Sequence, residues 1–166
     1  MSCPTGGTTV QNAKVTFYGY PGNEDDVNSS HTNVIAYPLT WQGHARHTNA
    51  QGDPVASGVG TYADPITVAA GENNPDFPPG KLVYFPGLKK YFLVEDICGN
   101  CTNDWLDLWM ESNASNSDAA VLSCEDGWTG NLAVLKEVWR DPASTLAVDT
   151  VPFFDTSANT CRSPTW

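Results

Sequence analysis

Two aspartates in the stretch Val94 to Met110 are the first residues of this chain whose type and spacing could do chemistry. Asp96 and Asp107 stand there with Glu95, Cys98, Cys101, Trp105 and Trp109, between two short apolar runs. Cleaving a glycosidic bond takes a carboxylic acid that protonates the leaving oxygen. Usually a second carboxylate then activates water or attacks the sugar carbon. Such an acid keeps its proton near neutral pH when burial beside apolar and aromatic groups disfavours the charged form. Asp107 lies between Leu106 and Leu108, and in a strand its side chain faces away from both. With the leucines in a core, Asp107 faces an open surface near Trp105 and Trp109 and is the expected general acid. The plainer alternative is an exposed strand aspartate with no role.

Asp96 follows an apolar run, and either shares the cleft or accepts backbone N–H bonds in a turn. Asp64 precedes Pro65, a pattern that suits a turn, and is the other candidate for a second carboxylate. Alternation turns Glu95 away from Asp96, so one of the two at most is expected beside Asp107. Flat apolar tryptophan faces match sugar rings, although aromatic side chains more often fill cores.

Other chemistries find less support. Cys98-x-x-Cys101 lacks the second ligand pair that zinc prefers and the βαβ setting of a redox motif, so a local disulfide is expected. His31, His44 and His47 lie far upstream in polar segments, and no nucleophile elbow occurs. No metal or cofactor is called for. The five cysteines suggest two disulfides and a leftover thiol, with about fifteen pairings open.

The elements that must position these residues read as short strands. Lys14 to Tyr20 alternates, with Val15 and Phe17 on one face, and ends at the turn Pro21-Gly22. A polar stretch from Asn23 to Ser30 and a short strand around Val34 to Tyr37 follow. Residues 42–60 read as a long surface loop, of the kind that is more often functional than accidental. Thr67 to Ala70 reads as a short strand or helical turn. Lys81 to Phe85 and Lys90 to Asp96 form a hairpin around Pro86-Gly87-Leu88-Lys89, and Leu106 to Trp109 a further strand. Ser117 to Cys124 starts as a helical turn, Gly130 to Trp139 ends as a strand, and the proline-bearing tail beyond Arg140 is expected to extend over the surface.

At 166 residues with 40% hydrophobic content, one domain over the whole chain is expected, with a sizeable core. Its 14 glycines and 12 prolines suit the many turns of a mostly-β barrel. A net charge of −11 with only eight Lys and Arg argues against nucleic acid and anionic membranes as partners. No transmembrane stretch or signal peptide is visible, and Met1-Ser2-Cys3 reads as an initiator ahead of a mature or excised domain. With the cysteines, the sequons at Asn28, Asn100 and Asn113 favour an extracellular, secreted protein.

In order, Thr16-Phe17-Tyr18-Gly19, Gly58 to Tyr62 with Thr67 to Ala70, Pro79-Gly80, Val94 to Cys101 and Leu106-Asp107-Leu108 resemble the double-psi β-barrel superfamily. That group holds expansins, barwin-like proteins, family 45 endoglucanases, rare lipoprotein A and a membrane-bound lytic transglycosylase. The matching pieces span residues 16 to 108, and the wording around Asp64, Asp96 and Asp107 resembles secreted cell-wall muramidases of fungi and actinobacteria. The resemblance implies a single six-stranded double-psi β-barrel with short helices and long loops. Asp107 matches the general acid of the endoglucanases, Asp96 an aspartate of the same groove, and Tyr18 its groove tyrosine. Asp64 falls near a segment lining the cleft, and Tyr62, Trp105 and Trp109 join Tyr18 as expected substrate contacts. Tyr20 stands where the endoglucanases carry an aspartate, Trp105 where histidine is frequent, and Ala70 where rare lipoprotein A has histidine. The family's usual base is therefore missing, and cellulose is a weaker expectation than peptidoglycan.

The reading that results is a monomeric glycosidase of the muramidase or lysozyme type, cleaving peptidoglycan with Asp107 as acid and Asp96 or Asp64 as its partner. A lytic transglycosylase needs only the one acid. An expansin-like wall-binding protein and a cysteine-protease inhibitor are the alternatives, since fold alone selects none of them.

Overall fold

Alternating apolar residues build the wall of a closed barrel in the computed structural model, which describes residues 8–21 and 33–166. The strands are β1 (Thr9–Tyr18), β2 (Thr40–Trp41), β3 (His44–Ala45), β4 (Ile66–Ala70), β5 (Leu82–Phe85), β6 (Lys90–Ile97) and β7 (Trp105–Trp109). Helix α1 (Asp118–Thr129) follows, then β8 (Lys136–Arg140), β9 (Phe154–Asp155) and β10 (Thr160–Cys161). The barrel runs β1-β7-β4-β6-β5-β8, while β2-β3 and β9-β10 form two small hairpin sheets. Pairing is mixed: β1 with β7 and β4 with β6 are parallel, and the other four joints are antiparallel. The mostly-β, six-stranded barrel expected from the sequence is thus present, with one α-helix among the described residues.

The inner face is continuous. Ala13, Val15 and Phe17 from β1 meet Ile66, Val68 and Ala70 from β4, Phe92 and Val94 from β6, and Leu106 and Leu108 from β7. Residues between them, Thr16, Ala69 and Asp107, face outward, as period-two alternation requires. A second apolar cluster, Leu82, Tyr84, Tyr91 and Trp139, covers the outside of β5, β6 and β8.

Three expectations need correction. The helical turn at Ser117 is a full helix of 12 residues, capped by the Ser117 hydroxyl accepting from Ala120 N–H at 3.4 Å. The segment 42–60 is not merely a surface loop: it forms β2-β3 with its neighbours and buries Arg46, Val55 and Ala56. The tail does not only lie on the surface, because Phe153 and Phe154 are fully buried and Cys161 is bonded to Cys124 of α1. The other disulfide is the expected Cys98–Cys101 bridge. Two disulfides fit an oxidising, non-cytoplasmic environment. Cys3, Asn28 and His31 lie outside the described residues, and no helix among the described residues is long and apolar enough to cross a membrane.

Candidate functional site

One transverse row of the barrel carries the site. Thr16 on β1 pairs with Asp107 on β7, Asp107 with Ala69 on β4, and Ala69 with Asp96 on β6. Residues paired across strands point to the same face, so the row presents hydroxyl, carboxyl, methyl and carboxyl to the outside in that order. Ala69 is the reason a cleft exists there. Its short side chain forms a floor between two carboxyl groups that stand two strand spacings apart, about 9.6 Å between their backbones.

Asp96 reaches this row through an irregularity. β6 pairs Val94 with Val68 but Asp96 with Ala69, so Glu95 is the extra residue of a bulge. Strict alternation from the inward Val94 would turn Asp96 into the core; the bulge re-aims it outward. Glu95 does not face away as alternation suggests. It meets Thr67 on the outer side of β4, whose hydroxyl donates to it at 2.6 Å. Fully buried, Glu95 also receives Arg46 Nε and Nη2 at 3.0 and 2.8 Å. Burial works against the Arg46 charge, yet Glu95 and Asp64 raise its pKa overall.

The cleft itself measures about 190 Å3. Its walls include Tyr18, Trp105, Asp107, Ala69, Asp96 and the Cys98 turn. The turn folds over the end of β4, with Cys98 N–H donating to Ala70 O at 2.9 Å. Gly71 permits this approach, since a side chain there would run into the Cys101 carbonyl. Asp107 Oδ1 accepts from the Thr16 hydroxyl at 2.7 Å, and that hydroxyl accepts from Trp105 Nε1 at 2.8 Å. The relay fixes the carboxyl plane of Asp107 from one side. Asp96 accepts from the Tyr18 hydroxyl at 2.9 Å and from the backbone N–H of Ala36 and Ile97 at 3.1 and 2.9 Å. Burial raises the Asp96 pKa, with the three hydrogen bonds pulling against it. The Tyr18 hydroxyl is held well above its usual range by burial and by Asp96 and Asp107, and so stays a donor.

Tyr18, Asp96, Trp105 and Asp107 are therefore brought together, and Asp64 and Tyr62 are not among the walls of the cleft. Asp64 is bound by Arg46 Nη1 at 2.8 Å and His47 Nε2 at 3.0 Å. Tyr62 packs edge-on against Trp41 and Tyr91, in the outer cluster. Trp109 is 3% exposed and supports the ring of Tyr18 from 5.4 Å. Lys14 Nζ sits 3.5 Å from the centroid of Trp105, so one face of that ring is covered. Sequence reasoning missed Thr16, whose place on the outer face of β1 alternation does reveal. It also missed Arg46, whose ion pairs are long-range and leave no local signal.

No group of three or more His, Cys, Asp or Glu among the described residues is arranged to hold a metal ion. The class defined so far is a closed mixed barrel with an acidic cleft across four strands. Within that class the chain belongs to the family described as "DDB_G0273701 N-terminal domain", which matches residues 10–162. It is similar to "Uncharacterized protein DDB_G0273701/DDB_G0273221" of Dictyostelium discoideum, 38% identical over 113 residues. The match covers 64% of this chain and 47% of that protein, so the chain spans about half the length of its relative. No solved structure matches.

Proposed function

We propose that this protein is a secreted glycoside hydrolase of the double-psi barrel type, acting on peptidoglycan in the Asp96–Asp107 cleft. The observation that carries the reading is the row Thr16-Asp107-Ala69-Asp96, which sets two carboxyl groups on either side of a small floor. Asp107 protonates the glycosidic oxygen, steadied by the Thr16 and Trp105 relay. Asp96, gripped by Tyr18 and two backbone N–H groups, orients water on the opposite side of the sugar. Two strand spacings favour the wider carboxyl pair of inverting enzymes, about 6.5–9.5 Å, over the about 5–5.5 Å of retaining ones. The net charge of −11 disfavours adsorption to anionic walls, an effect that weakens as acidic groups protonate. Activity is expected to be higher on the acidic side of neutrality.

A second reading has its own observation. Tyr20 occupies the place of the endoglucanase base, and Asp96 already accepts three hydrogen bonds, so Asp107 could act alone as in a lytic transglycosylase or bind without cleavage as in an expansin. One experiment separates these. Purified peptidoglycan is incubated at several acidic to neutral pH values with wild type and with Asp107→Asn, and released fragments are identified by mass spectrometry. Reducing muramic ends, lost in the variant, support the hydrolase. Anhydro-muramic ends indicate transglycosylation, and intact glycan with both proteins rejects cleavage.

A further inference from the structure

A second and larger cleft lies beyond Trp109. It measures about 590 Å3, within the about 300–1,000 Å3 of small-molecule sites, whereas the Asp96–Asp107 cleft is smaller than that range. Four separate parts of the chain build it: Asn33, the segment around Ser57, the end of β7 through Glu111, and the tail through Asp155 and Thr156. Glu111 is one of its walls. One carboxyl oxygen, Oε2, accepts the Phe153 N–H at 2.9 Å and ties the tail to the barrel. The other, Oε1, makes no hydrogen bond among the described residues, although the side chain is mostly buried and lines the cleft. One oxygen is thus held in place while the other stays accessible to solvent, ready to meet a ligand entering the cleft.

The chemistry of that partner is narrowed by what surrounds it. Burial pushes the Glu111 carboxyl up to about 7, against the pull of Lys90 and Arg162, so it offers an O–H donor as well as an acceptor through the acidic range. An anion would meet two acidic side chains, Glu111 and Asp155, which both line the cleft. The polar lining of Asn33, Thr156 and the carboxyl itself suits an uncharged ligand rich in hydroxyl or amide groups. The location also fits. Glu111 follows the end of β7 by two residues and turns with a φ of 64°, so the two acids lie four residues apart, at most about 13 Å between their backbones. Trp109 borders this cleft while bracing Tyr18, a wall of the other.

We propose that the Glu111 cleft is a saccharide-binding site that holds a distal ring of the same glycan whose bond is placed at Asp107. The inference rests on the glycan reading given above and adds a binding residue, Glu111, and a length requirement for the substrate. A chain too short to reach past Trp109 loses these contacts; a longer one gains them.

Calorimetry on the Asp107→Asn protein tests this, with N,N′-diacetylchitobiose as the short probe and a longer N-acetylglucosamine oligomer as the long one. Glu111→Ala is expected to weaken the long oligomer about tenfold and the disaccharide hardly at all. Because Glu111→Ala also removes the Phe153 anchor, Thr156→Val provides a second variant that keeps shape and fold, with an expected loss of about threefold on the long probe only. The same two changes in the otherwise wild-type protein should raise KM on peptidoglycan with kcat held. Unchanged long-oligomer affinity in both variants overturns the cleft assignment, even if peptidoglycan is cleaved. No oligomer binding by any form overturns it as well. Glu111-dependent binding without cleavage by wild type supports the cleft while rejecting the hydrolase.

Discussion

Glu95 and Asp96 are adjacent in the chain and belong to regions built on opposite principles. Around Glu95 every charge is answered. Arg46 supplies a two-pronged contact, Thr67 donates a short hydrogen bond, and Asp64 takes the remaining arm of the guanidinium. Around Asp96 and Asp107 no cation is among the described walls of the cleft, and the hydrogen bonds seen there come from the Thr16 and Tyr18 hydroxyls and from backbone N–H groups. The first region uses carboxylates to fasten the 42–60 segment to the barrel. The second holds Asp96 through neutral donors, with burial raising its pKa against them. A bulge of one residue separates the two outcomes. Acidic residues are informative about chemistry only together with what compensates them.

That contrast can be broken most forcefully at Arg46. Arg46→Ala leaves Glu95 buried and unpaired, and should lower unfolding free energy by about 3–5 kcal/mol in urea titrations. Asp107→Asn should change stability by no more than about 1 kcal/mol in the same assay while removing turnover. Equal losses for the two variants would erase the distinction between the regions.

Glu111 gives a slightly smaller effect with a definite sign. Its carboxyl moves from 4.5 to about 7 on folding, so the folded state binds the proton more tightly. The stability this provides is complete below about 4.5 and is lost as pH rises through about 7, amounting to about 3 kcal/mol. Glu111→Gln should flatten that decline, as read from denaturant midpoints across the interval. A decline that persists unchanged in the variant would assign it to other groups.

Tyr18→Phe sharpens the comparison with the smallest effect. Losing one hydrogen bond costs about 1 kcal/mol. Because that bond favours the ionised Asp96, its loss moves the Asp96 pKa further up. The acid limb of the pH–rate profile on peptidoglycan should then move to higher pH. A limb that stays in place would remove Asp96 from the reaction.

The sequence made the barrel legible where alternation is strict. β1, β5, β6 and β7 were readable from residues such as Val15, Phe17, Leu106 and Leu108, and the outward aim of Asp107 followed directly. What alternation could not supply is the bulge at Glu95, because an extra residue is visible only against its partner strand. For the same reason the expectation that Glu95 faces away from Asp96 fails, although only Asp96 shares the cleft. Glu111 was illegible for another reason. It is buried by Phe153 and neighbours more than forty positions on, and the prolines there pointed to an exposed tail. Asp64 illustrates the reverse error: a turn aspartate near the right segments, occupied by an arginine that reads as loop.

The Cys124–Cys161 bond closes a loop with a sequence separation of 37, and the segment inside it runs through a partly exposed stretch between Arg140 and Val151 before burying Phe153 and Phe154. A proteolytic cut at its exposed positions, such as Ser144 or Val148, would sever the backbone without releasing either piece. The severed tail would stay tethered to α1, its two phenylalanines still seated. In surroundings rich in secreted proteases, this fastening would let a nicked molecule keep its shape and both of its clefts.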